Sequence, residues 1–176
     1  RFPHLPSTPF GTPARPGMET LVLELHERCS AAVLAGSEIV YVLRVPTQKI
    51  MTINLSVGRR LPAYCTSMGR ILLAGLDPHD AATVLKQSDL KVLTPHTETR
   101  LTRLKAIVDD ARRKGWTLVD QELEEGLISI AVPIIGASGR TIAAMNISGQ
   151  DNRTPVAEMQ RRFLAPRQEA ARRVSP

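Results

Sequence analysis

Aromatic side chains are scarce in this chain: one tryptophan, two tyrosines and three phenylalanines in 176 residues. A core built from it must be aliphatic. A stacking platform for unpaired nucleotides is not expected either, because such platforms interleave aromatic faces with cations. Cysteine is nearly missing as well. Cys29 and Cys65 are too few for a disulfide framework and suit a reducing, cytoplasmic setting. No apolar run approaches the roughly 18 residues of a membrane span, and no secretory leader is visible. His4, His26, His79 and His96 are scattered, without a cysteine or carboxylate at metal-ligand spacing. The P-loop, dinucleotide and G-x-S-x-G signatures are absent too. No metal, cofactor or membrane partner is therefore expected, and nothing points to an enzyme.

What is present suits a single domain. The chain is 43% apolar and 23% charged, an ordinary globular composition, and it is long enough for a sizeable core. Its net charge of +6 raises nucleic acid as a partner. Yet the basic residues are dispersed, apart from Arg112-Arg113-Lys114, Arg161-Arg162 and Arg172-Arg173. Those fall on or at the ends of expected helices, where cations suit the dipole or the solvent. Direct nucleic-acid binding by this chain is not expected.

The most informative stretch is Gly115–Gln150. Leu127–Ile135 and Arg140–Ser148 have strand length and flank Gly136-Ala-Ser-Gly139, which predicts a β-hairpin. Alternation puts Ile128, Ile130, Val132 and Ile134 on a core face, with Leu127, Ser129, Ala131 and Pro133 opposite. In the second strand Ile142, Ala144, Asn146 and Ser148 share a side. A face carrying Ser129, Asn146 and Ser148 is unusual inside a sheet, because an unpaired buried polar group costs roughly 1–3 kcal/mol. These groups either satisfy one another or wait for a ligand.

Along the rest of the chain, Arg1–Gly17 reads as a Pro- and Gly-rich lead-in and Met18–Arg28 as a helix. Cys29–Ala35 and Glu38–Val45 form a hairpin through Gly36-Ser37, and Lys49–Leu55 suggests a third strand. Gly58 and Pro62 break regular structure. A helix then starts at Thr66-Ser67, either of which would cap it, and runs to about Leu76. Its N-terminus offers free N–H groups to an anion, although an ordinary buried helix with a cap, with Gly69 as a close contact, is the better reading of these residues alone. Asp77 caps a helix opening at Pro78. Leu101, Leu104, Val108 and Ala111 mark an amphipathic helix ending at Gly115. Trp116–Asp120 is a short strand. Gln121–Gly126 is an acidic turn whose Glu122, Glu124 and Glu125 are expected to be solvated. A closing helix covers Arg153–Arg173, kinked at Pro166. The order predicts an α+β fold, an antiparallel sheet with helices packed on it.

LPAYCTSMGRILLAGL followed by GWTLVDQELEEGLISIAVPIIGASGRTIAAMNISG resembles the C-terminal effector-binding domain of IclR-family transcriptional regulators. HERCSAAVLAGSEIVYVLRV resembles that family's first strands, so the likeness covers about Leu5 to Val174. TSMGR and VDQELEEGL look most like the regulators of protocatechuate, 4-hydroxybenzoate and β-ketoadipate catabolism. The resemblance implies a GAF-like domain, a curved antiparallel sheet of about six strands flanked by helices. It further implies that residues 1–17 are the remnant of a linker from an N-terminal winged helix-turn-helix domain, that residues 18–176 bind a small organic acid effector, and that the chain assembles as a homodimer or tetramer. DNA would be contacted only through the missing domain.

By the same resemblance, the effector pocket draws on Tyr64, Thr66, Ser67, Met68 and Gly69 at the helix entry, on Val119, Asp120 and Leu127 before the central strand, and on Ser129, Asn146 and Ser148. Those last three are the residues that alternation singled out. Ser129 stands where cysteine is common in the family, Asn146 where serine is, and Val119 where some members are acidic. The implied acid is therefore not the one bound by glyoxylate- or pyruvate-type members. The expected arrangement puts a carboxylate at the Thr66–Gly69 helix end, with Arg70 as a candidate partner. The ligand body would lie on Ala131 and Ala144, and Tyr64 would serve as an aromatic wall or a hydrogen-bond partner. Two other classes fit the residues: an assembly domain with a degenerate pocket, and a small hydrolase or isomerase using Asp120 or Glu122 as base.

Overall fold

A computed structural model of the chain describes residues 28–45, 57–150 and 160–161. The expected lead-in, the body of the helix expected over Met18–Arg28, the expected strand Lys49–Leu55 and nearly all of the closing helix lie outside these residues. Arg28 itself opens a strand rather than ending a helix.

Six strands form one antiparallel sheet: β1 (Arg28–Ala35), β2 (Glu38–Val45), β3 (Arg60–Pro62), β4 (Thr117–Asp120), β5 (Leu127–Ile135) and β6 (Thr141–Gln150), ordered β3-β2-β1-β6-β5-β4. Three helices lie between β3 and β4 in the chain: α1 (Ser67–Ala74), α2 (Pro78–Gln87) and α3 (Leu101–Lys114). Both expected hairpins form, β1 with β2 and β5 with β6. The stretch between Gly58 and Pro62 was expected to be irregular. Instead it supplies β3, which pairs Arg60, Leu61 and Pro62 with Val40, Ile39 and Glu38. Pro62 is tolerated because β3 is an edge strand among the described residues.

Both faces of the central strands are buried. Ile128, Ile130, Val132 and Ile134 occupy one face at 2% exposure or less. The other face carries Ala32, Ala131 and Ala144 at the centre of three adjoining strands, and α1 packs there with Met68, Ile71, Leu72 and Leu73. Small side chains let the helix approach the sheet closely. Leu104, Val108 and Ala111 of α3 and Ala81 and Leu85 of α2 complete this layer, so the apolar stripe of α3 faces the core.

Helix ends follow the local chemistry. Thr66 caps α1 by accepting from Gly69 N, and Asp77 caps α2 by accepting from His79 N. Gly115 closes α3 at φ +77°, a left-handed position that favours glycine. The basic last turn of α3 does more than face water. Arg112 Nε donates to Ala74 O and Nη2 to Leu76 O, capping the C-terminus of α1.

Candidate functional site

Strand register assembles the polar face. Val119, Ser129 and Ser148 form one row across β4, β5 and β6. Asn146, two residues back along β6, points the same way, and Ser67 at the start of α1 comes down onto them. Asn146 Nδ2 donates to Ser129 Oγ at 2.8 Å, and Ser129 Oγ lies 2.6 Å from Ser67 Oγ. Two hydroxyls sharing one bond leave one hydroxyl proton over. Asn146 Oδ1 is buried with no hydrogen-bond partner, alone in this among the buried side-chain polar atoms of the described residues. Turning the amide over would exchange an unmet acceptor for an unmet donor, so one end stays unsatisfied in either orientation.

The network lines a cavity of about 100 Å³, approaching the roughly 150 Å³ of an apolar cavity that holds a benzene ring. Ile39, Tyr41, Leu61, Cys65, Met68 and Leu127 form its walls, together with Leu123 from the β4–β5 loop. Arg44, Arg59 and Glu124 bring charge to it, and Arg59 and Glu124 are solvent-exposed. Of the residues anticipated from sequence, Thr66, Ser67, Met68, Val119, Leu127, Ser129, Asn146 and Ser148 line this one cavity.

Four others do not, and each has a structural reason. Tyr64 is buried beneath the 88–99 segment, its hydroxyl donating to Lys91 O at 2.5 Å and accepting from Lys91 N at 3.0 Å. Burial pushes that phenol up to about 12. Gly69 faces the backbone of Ala63. Asp120 accepts from Gln121 Nε2 at 3.2 Å. Arg70 is turned inward: at 2% exposure it donates from Nε to Tyr64 O and grips Glu122 with both terminal nitrogens at 2.7 and 2.8 Å. Glu122 is correspondingly not solvated, its side chain being 13% exposed and also accepting from Glu98 N. Neither Asp120 nor Glu122 is among the residues that line the cavity. Ala131 and Ala144 lie under α1 at 0% exposure, so they offer no surface to a ligand.

Arg44, Arg59 and Glu124 were missed from sequence. Arg44 has a specific cause. The pairs Ala32↔Tyr41 and Ala31↔Leu43 leave Val42 as an extra residue in β2. One inserted residue flips the faces beyond it, so Arg44 joins Ile39 and Tyr41 on the cavity side. Strict alternation would have sent it to the opposite face. Arg59 is carried by the turn before β3, tied to β2 by Tyr41 N→Arg59 O at 3.0 Å and Gly58 N→Tyr41 O at 2.8 Å.

Cys65 lies at 0% exposure beside the start of α1. Burial pushes its thiol up to about 11 and outweighs the lowering influence of the Arg70 charge. Cys29 is equally buried. The native chain should therefore show no fast thiol towards a disulfide-exchange reagent at pH 8, and two once denatured. A fast native thiol would contradict this packing.

Among the described residues, no group of three or more His, Cys, Asp or Glu side chains is placed to hold a metal, and no helix is long and apolar enough to cross a membrane. The sequence model of the family described as "Bacterial transcriptional regulator IclR C-terminal" matches residues 4–176. The Pca regulon regulatory protein of Pseudomonas putida is 45% identical over 162 residues, covering 92% of this chain and 56% of that protein. The chain thus spans little more than half the length of this relative. The crystal structure of RHA06195 from Rhodococcus sp. RHA1 superposes with a TM-score of 0.92 at 41% identity, over 98% of this chain and 71% of that one. An inducer-binding domain of the PobR transcription factor from Acinetobacter, a double mutant in complex with 3-hydroxybenzoic acid, superposes at 0.86 with 31% identity, over 94% and 96% of the two chains. The chain belongs to the IclR family of bacterial transcriptional regulators, and its fold is that family's C-terminal, effector-binding domain.

Proposed function

We propose that the cavity between α1 and the β4–β5–β6 face binds a small organic acid, aromatic or dicarboxylic, and that the occupied domain modulates DNA binding by the full-length protein through a separate N-terminal domain. The domain senses rather than catalyses, and it helps to hold a homodimer or tetramer together. One observation carries the reading: Asn146, whose Oδ1 is buried and unpartnered, is among the residues that line an open cavity. An assembly domain with a vestigial pocket would leave its polar groups satisfied by one another, and Ser129, Asn146 and Ser67 fall one partner short of that. The ligand of the Acinetobacter domain, 3-hydroxybenzoic acid, combines an apolar ring with polar groups, as the lining of this cavity combines apolar walls with polar and charged side chains. Coupling to DNA affinity is limited by the ligand's differential affinity for the two arrangements of the protein.

A thermal-shift screen against protocatechuate, 4-hydroxybenzoate, β-ketoadipate, glyoxylate and pyruvate tests this, because ligand at about 100 times Kd adds about 2.7 kcal/mol of stability. Asn146→Leu makes the diagnostic comparison. It removes an unsatisfied buried amide, so the unliganded melting temperature should hold or rise. It also removes a ligand contact, so affinity for the acid that binds should fall about tenfold or more, the equivalent of about 1.4 kcal/mol. Unchanged affinity in the folded variant would exclude the sheet-face pocket. The same screen of the wild-type chain, if no acid shifts it, would exclude an effector of this class.

A further inference from the structure

Among the described residues, two large hydrophobic side chains stand in solvent: Val92 and Leu93, 70% and 44% exposed. They are neighbours on the segment between α2 and α3, and the backbone around them is held. Lys91 N donates to the Tyr64 hydroxyl and Lys91 O accepts from it, while Leu93 N donates to Thr97 Oγ1 at 3.1 Å. Thr94 Oγ1 and Thr97 Oγ1 then tie the segment to Gln121 O and Glu122 O. The fold thus fixes the position of two apolar side chains that it does not bury. A pre-positioned apolar pair loses little freedom on meeting a partner.

The same helices carry a seat for such a pair. A groove of about 70 Å³ opens between α2 and α3. Buried Ala81, Leu85 and Val108 form its floor, and half-buried Ala82 lines it as well. Lys105 and Asp109, one turn apart on α3, lie along it. Asp109 is paired with Arg112 Nη1 at 2.6 Å. Lys105 is half-buried and has no hydrogen bond or ion pair among the described residues.

The exposed pair has the matching charge beside it. The Asp89 side chain is 77% exposed, and its ion pair is with Lys91 at 3.2 Å. An exposed pair of this kind is worth about 1 kcal/mol or less, so Asp89 can exchange Lys91 for another cation at little cost. Apolar pair, groove and opposite charges all fall within residues 78–109, and every copy of the chain offers all of them. A partner of another sequence would use one part and leave the other exposed, whereas a second copy uses both. Two chains of net charge +6 repel, and opposite charges facing each other locally offset that.

We infer that this face is an interface between two copies of the chain: Val92 and Leu93 of each sit in the α2–α3 groove of the other, and Asp89 faces the partner's Lys105. Reciprocal seating about a two-fold axis closes the contact. The inference rests on the assembly part of the proposed function and names its surface; it does not depend on what the cavity binds.

Sedimentation velocity over a range of chain concentrations tests it. The wild-type chain should associate as concentration rises. Val92→Ser/Leu93→Ser should weaken that association about tenfold or more, because side chains seated in pockets dominate such contacts. Lys105→Asp should weaken it too, by setting like charges against each other. Adding Asp89→Lys to Lys105→Asp should restore most of the loss, which a merely local disturbance by either change would not do. Val92, Leu93 and Asp89 are exposed, so their variants should fold and keep the melting temperature of the unassociated chain. If the chain associates but no variant alters this, or if the charge exchange restores nothing, the surface is wrong and the assembly reading stands. If the chain stays monomeric throughout, the surface and the assembly reading fall together, and the thermal-shift screen still decides effector binding on its own.

Discussion

Glu122→Ala should destabilise the domain more than any substitution in the cavity. Its carboxylate holds both terminal nitrogens of Arg70, whose side chain is 2% exposed. Removing one partner of a buried pair strands the other charge, at a cost of about 3–5 kcal/mol. In a domain of this size each kcal/mol is worth about 2–4 °C in melting temperature. The damage also spreads. Glu122 Oε1 accepts from Glu98 N, Glu122 O accepts from Thr97 Oγ1, and Gln121 O accepts from Thr94 Oγ1. The β4–β5 loop is thus bound to the segment before α3 and to α1 together. Gln121 holds a left-handed conformation at φ +61° within it, the one non-glycine residue to do so among those described, a strain that persists only where surroundings impose it. Since Leu123 and Glu124 of this loop line the cavity, loosening it should also weaken ligand binding. The decisive comparison is a double-mutant cycle by urea unfolding. Glu122→Ala combined with Arg70→Met should be more stable than Glu122→Ala alone, because the stranded guanidinium is gone. A Glu122→Ala chain within about 1 kcal/mol of wild type would mean the pair behaves as an exposed one.

Gly69→Ala should be the second severe change, through a different mechanism. A Cβ there would land on the carbonyl oxygen and Cα of Ala63 and close to Thr66 Oγ1, inside the 3.0 Å that real Cβ atoms keep. The obstacle is backbone, so no rotamer change relieves it and α1 must shift. Inserting one methyl into a packed core costs about 1–3 kcal/mol, occasionally more, and this site belongs at the upper end. Because α1 carries Ser67 and Met68 into the cavity, the displacement should also break the 2.6 Å contact between Ser67 and Ser129. A fall in melting temperature is expected, together with weaker binding of whichever acid the thermal-shift screen identifies. An alanine variant with wild-type stability would show that α1 has room to move.

Chain patterning carried much of this structure. The Gly36-Ser37 and Gly136–Gly139 connections mark two hairpins that form as read, and Asp77, Pro78 and Gly115 mark helix ends that the structure keeps. Those features depend on backbone preferences a few residues wide, so they survive any tertiary context. Alternation along β5 and β6 identified Ser129, Asn146 and Ser148 as an odd polar face, since period two is intrinsic to a strand.

Contacts distant in the chain were decided elsewhere. Glu122 and Arg70 are 52 residues apart, and nothing in an acidic turn reveals that one of its carboxylates closes on a buried arginine. Arg70 follows the helix start by a single turn, so position alone made it a ligand candidate, whereas packing turned it inward. Arg44 was hidden by one inserted residue, because a bulge is a property of strand pairing and leaves no mark in a single strand's pattern. By itself the sequence determined most of the elements among the described residues, the antiparallel α+β class, the family and the polar sheet face. Tertiary structure alone decided which charges are locked in the core and which line the cavity, because burial and pairing are set by side chains that only the fold brings together.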